Sequence, residues 1–312
     1  MPQLPQAQVG ASPSAASAVA PAKPTAKAEV QTQKLGKEAA AFTKVASGCP
    51  DIVVLITQGR SGSTPIANAI EHLTHSTGTE LHKEVFGANS DDMRRLKDPS
   101  STMVKWLQAQ CSHHRTAGLI GLKLKPYFDV DATGHLVEPK WRAMMAWLHD
   151  NNASILYSHR NHLDRLISGK VDSQLDSQSH CEASDQACVK AHEQVRVTLE
   201  TGDTLLEELR EDARKQSSLL LMLERSGIRY HTVTFEQLFD ESDSLATWYR
   251  VLHFLQPKRY SATSGSQTIS ERDLKKALGG MVRVGSTQRA RVSNYGEVVA
   301  TLWGTAFHSL LH

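Results

Sequence analysis

A short loop of small and hydroxylated residues around Arg60 is the first place where this sequence could do chemistry. The loop spans 57–65 and reads Thr-Gln-Gly-Arg-Ser-Gly-Ser-Thr-Pro. The apolar run 52–56 before it is typical of a buried parallel strand, and Ile66 and Ile70 after it have the spacing of one helical face. Backbone N–H groups and the positive end of the helix dipole would then point at the loop. The pattern predicts a site for phosphate or sulfate, with an ordinary strand–helix turn as the alternative.

This loop differs from two well-known phosphate-binding loops. A nucleoside-triphosphatase loop reads G-x-x-x-x-G-K-[ST], but here Gly59 and Gly62 are too close together and the lysine is absent. The dinucleotide fingerprint G-x-G-x-x-G is also absent. Arg60 is permanently charged and can hold two oxygens at once, which suits a ligand with charge spread over several oxygens. Ser63 or Thr64 can cap the following helix.

A second segment has the same organisation about a hundred residues later. Residues 154–157 have the composition of a short buried strand, and Arg160 follows at its carboxyl end, where open α/β sheets bind ligands. Ser168 lies eight residues after Arg160, about two helical turns away. The pair could hold a second phosphate, although an arginine at the start of a helix is often simply solvated.

Together the two segments resemble the sulfotransferase family that uses 3′-phosphoadenosine 5′-phosphosulfate (PAPS). The sequence G-R-S-G-S-T looks like that family's 5′-phosphosulfate loop, and R-N-x-x-D-x-x-x-S looks like its 3′-phosphate motif. His162 stands where the family usually has proline, which leaves Arg160 and Ser168 in place but makes the turn less rigid. The resemblance covers residues 50 to 305 in outline.

The resemblance implies a P-loop-like sulfotransferase fold and PAPS as co-substrate, with no metal. In this family a basic loop near the carboxyl terminus closes over the 3′-phosphate, and the arginines before 294–298 match it, unless they are surface charges. The residues assigned to the donor in this way are Gly59, Arg60, Ser61, Gly62, Ser63, Thr64, Arg160, Ser168, Arg289 and Arg291.

Sulfuryl transfer also needs a base for the acceptor hydroxyl. The segment 80–87 resembles the place where family members carry a glutamate or histidine base, and Glu84 is the first candidate there because E-x-F matches the glutamate-using branches. His82 is the second candidate and has the better intrinsic pKa, while both could be ordinary loop charges. Arg60 is expected to stabilise the leaving phosphate. Lys123 and Lys125 lie two residues apart on one face of a predicted strand, and one of them could hold substrate or protonate the leaving group, with solvated lysines as the alternative.

The rest of the sequence predicts an α/β protein with a central parallel sheet flanked by helices. Further strands are expected at 119–124 and 230–235, with helical patterns between them. A long polar helical pattern over 186–226 should break near Thr201-Gly202. The polar stretches 172–185 and 258–290 are expected to be irregular, as lids over ligands often are.

Composition limits the classes of function further. The chain has 312 residues and a formal net charge of +2, which gives no indication of a nucleic-acid partner, and no apolar run is long enough to span a membrane. Residues 1–45 are rich in Ala, Pro, Ser, Gln and Lys, which predicts a disordered tail before a single domain at 46–312. We expect a cytoplasmic protein, or one in an organelle lumen if the tail is a transit segment.

The chain has four cysteines. Cys181 and Cys188 lie close together in a polar stretch, and the expected state is two reduced thiols. A local disulfide is one alternative, and a metal site with His180 and His192 is another, although the spacing between the cysteines does not suit zinc.

The sequence therefore predicts a sulfotransferase acting on a small-molecule or carbohydrate acceptor, whose identity and the oligomeric state stay open. A nucleotide-dependent small-molecule kinase is the alternative enzyme, but it would want a lysine in the loop and a magnesium-binding carboxylate. A non-catalytic nucleotide-binding protein is the third possibility.

Overall fold

A parallel sheet forms the centre of the protein. The computed structural model describes residues 49–74, 99–113, 119–125, 138–175, 185–239, 243–256, 270–278 and 287–311. The sheet has four strands in the order β2-β1-β3-β4, and all three pairings are parallel. The strands are β1 Asp51–Thr57, β2 Leu119–Leu124, β3 Ser154–His159 and β4 Arg229–Thr234. All four strands expected from the apolar runs are confirmed.

Helices cover both faces of this sheet, which confirms the α/β architecture. In chain order they are α1 Ser63–Thr74, α2 Pro99–His113, α3 Glu138–Asp150, α4 His162–Gln174, α5 Gln186–Gln194, α6 Gly202–Ser226, α7 Phe235–Phe239, α8 Ser244–Leu255, α9 Glu271–Leu278, α10 Gln288–Arg291 and α11 Tyr295–Leu302, followed by a 3₁₀ turn at His308–Leu310. Within the described ranges, no helix is both long enough and apolar enough to cross a membrane.

The side chains of β1 point alternately to the two faces of the sheet and so belong to two separate layers of the core. Val54 and Ile56 pack with α2, α3 and the second half of α6, whereas Val53 and Leu55 pack with α1, α8 and α9. Side chains of successive strand residues point to opposite faces, so a continuous apolar strand can bury itself between two helical layers. β1 is therefore fixed at the centre, and the loop that follows it has a rigid base.

A third apolar cluster packs α4 against α6 and α11. Leu163, Ile167 and Val171 of α4 pack with the first half of α6 and with α11. The two halves of α6 thus serve different clusters, one against the sheet and one against α4. This arrangement positions the helix that follows Arg160.

The structure has helix in parts of the stretches that were expected to be irregular, whereas the expected break in the long polar helical pattern is present. α4 continues to Gln174, so the start of the stretch 172–185 is helical rather than irregular, and α9 and α10 lie at or within the edges of the stretch 258–290. The long polar pattern does break, because α5 ends at Gln194 and α6 begins at Gly202. Polar composition indicated exposure in these places and not the absence of helix. The predicted tail at 1–45 lies outside the described residues.

The cysteines of the described residues are disulfide-bonded, so the expectation of a reduced thiol is wrong for Cys188. Cys49, just before β1, forms a disulfide with Cys111 in α2, with Cα atoms 5.2 Å apart, a separation usual for disulfides. Cys188 is also disulfide-bonded, whereas Cys181 lies outside the described residues. The Cys49–Cys111 bond joins the start of the central strand to a helix of one covering layer.

Removing the Cys49–Cys111 bond should destabilise the protein. The bond closes a loop across a sequence separation of 62 residues, and the chain-entropy model gives a loss of about 4 kcal/mol for such a loop. The paired Cys49→Ala and Cys111→Ala variant should unfold at clearly lower urea concentration than wild type. Peptide mapping without reductant should recover the linked peptides, and equal stability of the two proteins would contradict a structural role for the bond.

Candidate functional site

The parallel pairing of β1 and β3 brings the two predicted anion-binding segments together. Thr57 at the end of β1 pairs with Ser158 of β3, so the segments that follow leave the sheet at the same edge. The Arg160 Nη1 donates a hydrogen bond to the backbone carbonyl of Arg60 at 3.3 Å. Two arginines one hundred residues apart in sequence therefore line one place in the fold.

The loop after β1 has a tight backbone that leaves helix N–H groups at its surface. Arg60 has φ 65° and Gly62 has φ 73°, both in the left-handed region that is unfavourable for a non-glycine residue. The Ser61 hydroxyl is buried and donates to the Gln58 carbonyl at 2.6 Å, so this side chain supports the loop internally. α1 begins at Ser63, one residue before Thr64, and first-turn N–H groups have no carbonyl partner within a helix.

Phe235 joins both segments. It lies at the carboxyl end of β4, where α7 begins, and the Arg160 guanidinium sits 4.7 Å above the centre of its ring, a cation–π contact. A Cβ added to Gly62 would overlap the same ring, so only glycine allows this approach. The sequence reading missed Phe235, although an aromatic residue at the carboxyl end of a predicted strand is a signal that could have found it.

Several polar atoms at this edge are buried without a hydrogen-bond partner among the described residues. They are Thr57 Oγ1, Gln58 Oε1, Arg60 Nε and Ser158 Oγ. A buried polar group without a partner costs about 1–3 kcal/mol, so their concentration here is unusual and points to a ligand or ordered water. The residues present therefore fit an oxyanion-bearing ligand at this loop.

Arg60 also contacts an acidic side chain that the sequence reading did not single out. Its Nη2 lies 2.6 Å from the Asp172 Oδ1, and both side chains are 25% exposed. Asp172 is four residues after Ser168 on α4, so the two share one helical face. This places half-buried Ser168 on the side of α4 that faces the loop. The i+4 spacing was the available signal for Asp172.

Lys123 is buried beside the loop, so the solvated alternative is wrong for this residue. It is 2% exposed, and its Nζ donates to the Thr64 Oγ1 at 3.4 Å. Lys125 follows the end of β2 and is half-buried. Lys123 thus places its amine at the amino terminus of α1.

Two sets of contacts hold the start of α4. The Asn161 side chain caps the helix by accepting from the N–H groups of Leu163 and Asp164. His162 Nδ1 lies 2.8 Å from the Asp212 carboxylate of α6, which also pairs with Arg165. His162 therefore anchors the turn where the resembled family has proline.

The Asp212 carboxylate stays charged in this setting. Burial by itself would raise its pKa, but the hydrogen bond from His162 and the charge of Arg165 outweigh burial and hold the pKa below its usual value. The pairing stabilises the fold at neutral pH, and that stability is lost as pH falls through the acid range where Asp212 becomes protonated.

The C-terminal segment packs directly against α4. Gln288 Nε2 donates to the Asp164 carboxylate at 3.1 Å and to the Leu310 carbonyl at 2.8 Å. Arg291 is 9% exposed, and Arg289 on the same short helix is exposed. Burial thus distinguishes the two arginines. Arg291 is buried on the short helix that packs against α4, whereas Arg289 faces solvent.

The side chain of Asn294 makes a long-range contact rather than a helix cap. Asn294 occupies the N-cap position of α11, but its side chain makes no cap hydrogen bond. It accepts from the N–H of Leu199 and donates to the Leu199 carbonyl. The residue therefore ties the C-terminal segment to the chain between α5 and α6, a contact that local sequence spacing does not indicate.

The two candidate bases, Glu84 and His82, lie outside the described residues. A different titratable group, His159, lies at the end of β3 immediately before Arg160. Burial, together with the nearby His162, lowers the pKa of His159 from 6.5 to about 4. His159 is therefore neutral at physiological pH and leaves the charge of the neighbouring arginine undiminished by a second cation.

The lowered pKa of His159 predicts a specific pH dependence of stability. An unfolded chain binds a proton at His159 near pH 6.5, whereas the folded protein does so only near 4, so stability is lost as pH falls between these values. The slope contributed is at most about 1.4 kcal/mol per pH unit. His159→Gln should remove that slope in urea unfolding from pH 7 to 4, while His113→Gln at an exposed site should keep it. Identical curves for wild type and His159→Gln would contradict the assignment.

Comparisons with known proteins leave the function to be argued from the residues and their geometry. No protein-family model matches the chain, and no curated protein matches it significantly.

Proposed function

We propose that this protein is a PAPS-dependent sulfotransferase on a P-loop-like fold. The observation that carries the proposal is the contact between the Arg160 guanidinium and the Arg60 carbonyl. It puts the two segments that resemble the 5′-phosphosulfate loop and the 3′-phosphate motif within reach of one small molecule. An adenosine bearing groups at both positions is a ligand that two adjacent oxyanion sites would suit.

The loop after β1 would hold the 5′ end of the donor. Arg60 offers a planar guanidinium with the Nε free of a partner among the described residues, and the N–H groups of Gly62, Ser63 and Thr64 lie at the start of α1. Lys123, whose ammonium reaches Thr64, adds charge at the same place. This set of donors suits a ligand with several terminal oxygens better than it suits a ligand with a single carboxylate.

The 3′-phosphate would be held by the second segment. Arg160 is 9% exposed and is oriented by the Arg60 carbonyl and the Phe235 ring. Ser168 lies two turns along α4 on the side that faces the loop. Arg291 on the adjoining α10 is better placed by its burial than Arg289 to add charge here.

The chemistry asked of these residues is mainly positioning and charge stabilisation. PAPS supplies an activated sulfuryl group and a phosphate leaving group. Arg60, Lys123 and the N–H groups of α1 stabilise negative charge that grows at the loop, because they are fixed before the reaction begins. Glu84 or His82 removes the proton of the acceptor in this proposal.

The acceptor is proposed to be a small-molecule or carbohydrate hydroxyl, or an amine. For the compartment, the cytoplasm was expected from the sequence. The Cys49–Cys111 bond favours an oxidising compartment instead, since structural disulfides are rare in the cytosol. Of the two expected locations, we therefore propose the organelle lumen.

A ligand comparison by thermal unfolding tests the proposal against the kinase alternative. At 100 times its Kd, a ligand that binds only the folded state adds about 2.7 kcal/mol of stability. We expect 3′,5′-ADP to raise the Tm, and ATP with magnesium to leave it nearly unchanged. A larger rise with ATP and magnesium would favour a kinase, and no rise with either would remove the nucleotide assignment.

Substitution of Arg160 tests which phosphate the second segment binds. Arg160→Ala should weaken binding of 3′,5′-ADP by roughly 10- to 100-fold, the size of a lost charge-assisted contact. Binding of 5′-AMP, which has no 3′-phosphate, should change little, as calorimetry can measure. Arg225→Ala, at an exposed position on α6, is the matched control. Equal losses for both nucleotides would mean that Arg160 does not contact the 3′-phosphate.

A further inference from the structure

The carboxylate that faces Arg60 has a role that the two predicted motifs leave unexplained. We infer that Asp172 is an internal counter-ion which occupies the Arg60 guanidinium in the empty site and competes with the incoming oxyanion for it. The inference rests on the proposed function, because it assigns Arg60 to anion binding. It adds a residue that sets the affinity of that same site.

The contact between the two side chains is close but poorly satisfied. Arg60 Nη2 is 2.6 Å from Asp172 Oδ1, yet Asp172 Oδ1 and Arg60 Nε are both buried without an aligned hydrogen-bond partner among the described residues. Charge holds the pair together without hydrogen-bond geometry. A tetrahedral oxyanion aligned with two guanidinium N–H groups would satisfy Arg60 better than Asp172 does.

Asp172 is also close to where the second phosphate is proposed to bind. It lies one helical turn after Ser168 on α4, so its negative charge lies near both ends of the proposed ligand. Like charges repel over this distance, and the ligand must either displace the carboxylate or bind beside it. In both cases Asp172 lowers the affinity for a multiply charged anion.

An alternative role for Asp172 is to orient Arg60 for the ligand. Both side chains are 25% exposed, and ion pairs of this exposure contribute little stability. The backbone at Arg60 is held independently of Asp172, since the Arg60 carbonyl accepts from Arg160 and Gly62 packs on Phe235. Removing the charge of Asp172 should therefore strengthen anion binding, whereas removing an orienting residue would weaken it.

The consequence for the reaction is that Asp172 limits how tightly the nucleotide product is held. A doubly phosphorylated product leaves a strongly cationic site slowly, because affinity differences among related complexes lie mostly in the dissociation rate. A carboxylate that returns to Arg60 as the product departs offsets part of that attraction. Asp172 thus favours turnover over retention of the product.

Calorimetric titration of Asp172→Asn tests the inference. The substitution keeps the shape of the side chain and removes its charge. We expect 3′,5′-ADP to bind about tenfold more tightly than to wild type, a change of 1.4 kcal/mol. Asp203→Asn, at an exposed position on α6, is the matched control for loss of one negative charge and should leave the affinity unchanged. Thermal unfolding establishes that each variant is folded.

A second experiment with inorganic sulfate tests the counter-ion role without assuming that PAPS is the donor. Sulfate should also stabilise Asp172→Asn more than wild type or Asp203→Asn in thermal unfolding. If 3′,5′-ADP binds to none of the proteins but sulfate retains this difference, the proposed donor is wrong and the counter-ion role stands. If sulfate and 3′,5′-ADP bind Asp172→Asn no more tightly than wild type, or more weakly, the counter-ion role is overturned.

Discussion

The adjacency of β1 and β3 in the parallel sheet is the constraint on which the rest of the site depends. Parallel strands end at the same edge, so the residues that follow Thr57 and His159 emerge side by side. The hydrogen bond from Arg160 to the Arg60 carbonyl then joins two segments that are far apart in the chain. A strand order in which β1 and β3 were not neighbours would separate the two arginines and remove the reason to consider them one site.

Concentrating cations at this edge has an electrostatic cost that the neighbouring residues reduce. Arg160 and Lys123 are almost wholly buried, and burying a charge without a partner is strongly unfavourable. Arg160 is offset by a carbonyl and an aromatic face, Arg60 by the Asp172 carboxylate, and His159 stays neutral. The resulting site keeps a net positive charge although its neighbours offset part of it, and such a site is suited to bind a polyanion.

Local sequence pattern was sufficient for the framework of the protein. The mainly apolar runs at 119–124 and 154–157 predicted strands because a strand buried on both faces is a nearly continuous apolar run. The glycines and hydroxyls of 57–65 predicted a strand–loop–helix unit for an equally local reason, since the residues that permit the turn are within the turn. Polar stretches were less informative, and helices such as α9 were read as irregular chain.

The residues that complete the site were decided by the tertiary structure. Phe235, after β4, contacts Gly62 and Arg160, which follow two other strands. Asp172 of α4 pairs with Arg60 of the loop after β1. Cys49 before β1 is bonded to Cys111 of α2. The sequence by itself determined which segments could form strands and an anion-binding loop, because periodicity and turn chemistry are properties of neighbouring residues. Which side chains face those segments depended on strand order and helix packing, since contacts between distant residues exist only once the chain is folded.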